Sequence, residues 1–148
     1  MKKQIIVGGV SALLILLFLY ASVSKLVNFK VFEFDMYKQP FPHWLASFFL
    51  VAVPASEILI SLALILDKTR LVGLWASLVL MGLFTLYTAI ILLHGFAHIP
   101  CNCGGVIRRL KWNQHLILNL FYMGISLTGI VTVKRKNKTG QPNQIVYT

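Results

Sequence analysis

Acidic side chains are scarce in this chain: four Asp and Glu stand against 14 Lys and Arg. Charged residues of both signs make up only 12% of it, against about 25% in ordinary soluble domains. So little charge cannot cover a globular surface with solvated groups, which excludes the usual soluble domain. Cysteine is scarcer still, with two in 148 residues, so the disulfide framework of a small secreted domain is excluded. What is abundant is apolar surface, at 57% of residues. The formal charge of +10 would suggest nucleic acid in a soluble protein. Here the basic residues sit at the ends of apolar runs, and no basic face is interleaved with aromatics. That pattern excludes a nucleic-acid partner and points to membrane topology.

Four apolar runs follow one another. Residues 5–24 carry no charge and match the ~20 residues that cross a hydrocarbon core. A basic start and small residues at Ala21 and Ser22 also fit a cleaved signal peptide, but the apolar run is long for one. The second run, residues 44–66, opens on Trp44 and holds one charge, Glu57, with Pro54 one turn earlier. The third, residues 71–93, is uncharged, and the fourth covers residues 115–133. Asp67-Lys68-Thr69-Arg70 reads as a tight turn that makes spans two and three antiparallel neighbours. Between spans one and two, Lys25 to His43 mixes charge with Phe29, Phe32, Phe34 and Tyr37, as in a segment at headgroup level, and Pro40 and Pro42 close it. Residues 134–148 form a basic, polar tail expected to be disordered.

Lipid admits only helices or closed barrels, so the expected fold is an all-α membrane protein, a four-transmembrane-helix bundle in one domain over residues 1–133. Small residues one turn apart, such as Gly8 and Ala12, Ala52 and Ser56, Gly73 and Ser77, and Gly124 and Thr128, would let helices approach closely. An even number of spans puts both termini on one side. With the termini cytoplasmic, Lys2, Lys3, Lys68, Arg70, Lys134, Arg135, Lys136 and Lys138 lie inside. Lys25, Lys30, Lys38, Arg108, Arg109 and Lys111 then lie outside, a modest bias in the positive-inside direction. The long connection between spans three and four is thereby placed on the outer, oxidising face.

That connection, His94 to Gln114, gathers most of the reactive side chains. Cys101 and Cys103 are one residue apart, and a disulfide between them would close a small, strained ring. Strained disulfides are readily reduced, which suits a labile or catalytic pair. Gly104 and Gly105 free the backbone there, and Arg108, Arg109 and Lys111 favour a thiolate. The competing reading is an idle thiol pair or a static bridge. His94 and His98, four apart and followed at once by the cysteines, offer a second chemistry: four ligands for zinc or copper. Their spacing is not that of a common zinc module. Val106 to Lys111 reads as a short interfacial helix, with Trp112 anchoring the fourth span and Asn113 as its N-cap.

Glu57 is the only acid inside a span, and a carboxylate at that depth costs a few kcal/mol. It reads either as a proton carrier or as a protonated carboxyl bonded to a neighbouring helix. Tyr87, Asn119 and Tyr122 would form a polar line from Glu57 towards the cysteines. Lys25 falls just past the first span, too far from Glu57 for direct pairing unless the second span starts late.

Taken together, these residues resemble the MauE/DoxX-like membrane proteins, of which MauE is the methylamine-utilisation member. The resemblance rests on Ser24-Lys25-Leu26 closing the first span, Pro40 before the second, Pro54-x-x-Glu57 within it, and Cys101-x-Cys103-Gly104 before the fourth. The last element points to the MauE side, although Gly105 stands where that pattern has Phe. The resemblance implies a DoxX-like four-helix protein of the bacterial inner membrane that helps mature exported, disulfide-rich proteins. It marks Cys101 and Cys103 as the redox pair, and Glu57 and Lys25 as pattern positions. Nothing in these residues recognises an amine. The likeness to four-helix, quinone-linked disulfide oxidases is architectural, since those enzymes use two cysteine pairs.

The expected function is therefore a membrane thiol–disulfide redox protein. Cys101 and Cys103 exchange with an exported or periplasmic partner, a membrane quinone or a separate redox protein accepts the electrons, and Glu57 carries protons. The alternatives are a non-enzymatic assembly or accessory subunit, and a metal-handling protein using His94, His98, Cys101 and Cys103.

Overall fold

A computed structural model describes residues 2–39, 42–93 and 112–138. All regular structure among them is helical: α1 (Lys2–Val27), α2 (Phe29–Tyr37), α3 (His43–Ile65), α4 (Arg70–Leu92) and α5 (Trp112–Lys138). Four of these helices are long and apolar enough to cross a membrane, over Gln4–Val27, His43–Ile65, Arg70–Ile90 and Asn113–Arg135. These match the four runs read from the sequence to within a few residues.

The long helices form a ring in which α1 packs on α3, α3 on α4, α4 on α5 and α5 on α1. Neighbours run antiparallel. Along α4 and α5, a Cβ built at Gly129 would lie 3.0 Å from Leu74, while Thr85 Oγ1 lies 3.4 Å from the Met123 sulfur. The α3–α4 reversal is as tight as expected. Asp67 pairs with Arg70, Thr69 Oγ1 donates to the Ala63 carbonyl at 3.0 Å, and Arg70 Nε donates to Leu64 O at 3.3 Å. These bonds satisfy carbonyls that a helix end leaves open.

The distribution of side chains is that of a membrane protein. Leu16, Val51, Leu59, Leu83, Leu86 and Ile117 face outward, whereas Ser11, Ser22, Ser61, Ser77 and Ser126 are buried between helices. Small polar residues permit close helix approach and apolar ones face the hydrocarbon. The core of the half holding the α3–α4 turn is Leu14, Leu64, Leu74 and Ile130. At the outer edge of that half, the Lys134 ammonium sits 5.0 Å from the Trp75 ring.

Two stretches differ from the sequence reading. The segment after Lys25 is a helix that packs on α3 through Phe32, Met36, Ala46 and Leu50. Asn28, with φ −106° and ψ 40°, forms the break between α1 and α2. Its Nδ2 donates to Ser24 O at 3.2 Å, and its carbonyl accepts from Val31 and Phe32, opening α2. The second difference is α5, which runs through Lys138 rather than stopping at Val133. It also starts at Trp112, so Asn113 lies inside its first turn rather than at its N-cap.

Close approach occurs at some of the small residues and not at others. A Cβ on Gly73 would lie 3.0 Å from the Leu64 side chain and from the Leu64 backbone nitrogen, while Gly8 and Gly124 have no such neighbour within 4 Å. A backbone atom cannot retreat without moving α3. Gly73→Ala is therefore expected to cost about 1–3 kcal/mol by overpacking, read as a lower thermal midpoint of the purified protein in detergent. Gly82→Ala, with nothing within 4 Å, should leave the midpoint unchanged or raise it. Equal midpoints in the two variants would refute this account of the α3–α4 contact.

Candidate functional site

The four long helices do not close fully at the end where α4 finishes and α5 begins. A partly open cavity of about 340 Å³ remains there, lined by all five helices. Its walls are mainly apolar, among them Phe18, Phe32, Phe49 and Phe84. Lys25, Gln39, Glu57, Tyr87, His115 and Asn119 contribute its polar groups.

The strongest of these interactions is an ion pair. Lys25 Nζ lies 2.5 Å from Glu57 Oε1, with the two side chains only 5% and 2% exposed. Sequence reading placed these residues too far apart, and α2 is the reason they meet. Its nine residues add about 14 Å of helix beyond α1. The chain then turns and descends as α3, with Phe32 and Met36 of α2 against Ala46 and Leu50. When α3 draws level with the last turn of α1, it has reached Glu57. The Phe32 ring, 6.0 Å from Lys25 Nζ, closes over the pair. Pro54 does not interrupt α3 on the way.

Glu57 has further commitments. Its backbone carbonyl accepts from Ser61 Oγ at 2.8 Å. Its second carboxylate oxygen, Oε2, is buried with no hydrogen-bond partner among the described residues. The same is true of His115 Nε2, on a side chain only 9% exposed. Buried polar atoms are rarely left unpaired, and these two line the same cavity. Nearby, the Tyr87 hydroxyl donates to Gln39 Oε1, and Gln39 Nε2 donates to the Asp35 carbonyl at 3.3 Å. That chain of bonds ties α2 to α4.

Of the expected polar line, Tyr87 and Asn119 do join Glu57 in the cavity. Tyr122 does not line it; it packs against the core and meets Phe121 edge to face at 5.5 Å. Lys25 was marked by the resemblance but not as a partner of Glu57, and Gln39 and His115 escaped the sequence reading. His115 carried a signal, as an ionisable residue at the mouth of an apolar run. Gln39 carried none. Cys101, Cys103, His94 and His98, together with the expected interfacial helix at Val106 to Lys111, lie outside the described residues. Among the described residues no group of His, Cys, Asp and Glu could hold a metal ion.

Four apolar helices in a ring, polar residues turned inward and lipid-compatible residues outward define a multi-pass membrane protein. The family described as methylamine utilisation protein MauE matches residues 3–132, and the chain belongs to that family. No curated protein and no solved structure matches it.

Breaking a buried pair on one side strands the other charge, which costs about 3–5 kcal/mol, whereas replacing both members with apolar groups is often nearly neutral. Lys25→Met and Glu57→Leu should each destabilise the protein by that order. The double variant should be far more stable than their sum predicts. Unfolding titrations of the four proteins in detergent would measure the coupling, and additive losses would show that the contact is not an energetic pair.

Proposed function

We propose that this MauE-family membrane protein is a thiol–disulfide redox protein of the bacterial inner membrane. Cys101 and Cys103 form the exchanging pair and face outward, towards exported partners, with the termini cytoplasmic. The observation that carries this reading is the position of the cavity and its polar groups. Tyr87 and Thr88, which line it, lie within two turns of Leu93, where the cysteine-bearing connection leaves α4. His115, which also lines it, lies within one turn of Trp112, where the chain re-enters α5. A buried carboxylate and an imidazole nitrogen with no partner among the described residues can move protons, and thiol oxidation needs such groups.

The exchange is balanced as follows. Two thiols on the partner lose two protons and two electrons and become a disulfide, while the Cys101–Cys103 disulfide is reduced to the dithiol. Re-oxidising that dithiol sends two electrons on to a membrane quinone or a separate redox protein. The two protons go with the electrons to the acceptor, with Glu57 relaying them.

Alkylation trapping in intact cells tests this. The wild-type pair should be captured in both thiol and disulfide forms, and Cys103→Ser should accumulate a mixed disulfide between Cys101 and an exported protein. If Cys101→Ser and Cys103→Ser leave the thiol state of every exported partner unchanged, the redox reading fails. The chain would then be better read as an assembly subunit.

A further inference from the structure

We propose that the cavity beside Lys25 and Glu57 is a binding site for the ring of a lipophilic quinone. Three observations converge on that class of ligand. The first is charge. Lys25 and Glu57 neutralise each other within 2.5 Å, so among the described residues the cavity offers no free charge to an anionic lipid headgroup or a fatty acid, and a neutral ligand fits best. The second is shape. Phe18, Phe32, Phe49 and Phe84 supply flat apolar walls in a space of about 340 Å³, suited to a planar ring with the first units of an apolar tail. The third is that, of the buried polar atoms without a hydrogen-bond partner among the described residues, Glu57 Oε2 and His115 Nε2 belong to residues that line the cavity.

Those two atoms distinguish a quinone from a passive lipid chain. A quinone carbonyl accepts a hydrogen bond and the quinol hydroxyl that replaces it donates one, so its site needs groups able to serve both forms. An imidazole nitrogen donates or accepts according to its tautomer, and a carboxylate oxygen accepts. An acyl chain would satisfy neither atom and would leave both desolvated and unpaired.

The role of this ligand as acceptor rests on the redox reading above; its binding does not. When the dithiol of Cys101 and Cys103 closes to a disulfide, two electrons and two protons are released. The quinone takes up both and leaves as the quinol, so no further reactant is needed.

The test uses the full chain in nanodiscs of quinone-free phosphatidylcholine, titrated with decylubiquinone, with bound quinone counted after removal of free ligand. Saturable uptake of one quinone per chain, above that of empty nanodiscs, is expected. His115→Leu removes a hydrogen-bonding group and should weaken binding about 5- to 10-fold. Val53→Phe, which fills the cavity from α3, should weaken it at least as much. Circular dichroism and a single gel-filtration peak confirm that both variants remain folded. The double variant Cys101→Ser/Cys103→Ser should bind as the wild type does. Uptake equal to that of empty nanodiscs, or binding indifferent to both cavity variants, overturns the proposal. So does full competition by phospholipid, which would mark the cavity as a lipid-chain site. Quinone binding without thiol cycling would defeat only the redox reading, and thiol cycling without quinone binding only this one.

Discussion

Carrying a lysine and a glutamate out of water costs several kcal/mol per ion, and their attraction offsets this only when geometry and the remaining hydrogen bonds are good. Lys25 and Glu57 meet the geometric condition, at 2.5 Å and almost wholly buried. They meet the second condition only in part, because Glu57 Oε2 has no partner among the described residues. Much of the upper bundle follows from this pair. It requires the last turn of α1 to lie against the middle of α3, and so requires α2 to extend α1 before the chain turns back. It also requires a cover, which Phe32 of α2 provides.

The two halves of the bundle are built differently. Around the α3–α4 turn the helices approach to van der Waals contact at Gly73 and Gly129, with Leu64, Leu74 and buried serines between them. Towards the α4–α5 connection the same helices part around the cavity. Phenylalanines and ionisable groups there stand in place of the glycines, leucines and serines of the other half. A bundle held tightly at one end can keep an open recess at the other without losing its register. This is the arrangement a ligand or proton site in a membrane protein needs.

Much of this was legible in the residues. The four spans, the helical class and the sharp reversal at Asp67 to Arg70 follow from apolar run length and charge placement, which lipid constrains more tightly than water does. Glu57 stood out because a charge within a span is costly. That Lys25 pairs with it did not, because a mixed charged and aromatic stretch looks the same whether it lies flat on the surface or folds back as a helix against α3. Gly73 and Gly129 show the same limit. Gly8 and Gly124 have equally small side chains, yet no neighbour lies within 4 Å of the Cβ each would carry. Helix facing, not composition, separates them.

The sequence by itself determined that the chain crosses a membrane four times as helices, because uncharged runs of span length leave the backbone no other way to satisfy its polar groups in lipid. It also marked Glu57 and the closely spaced Cys101 and Cys103 as the candidates for chemistry. Only the tertiary structure decided that Lys25 neutralises Glu57, and that Tyr87 of α4, His115 of α5 and Gln39, just past the end of α2, share one cavity with them. Those relations depend on the rotation and relative height of helices far apart in sequence. Packing against neighbouring helices sets both, and no local pattern of residues encodes them.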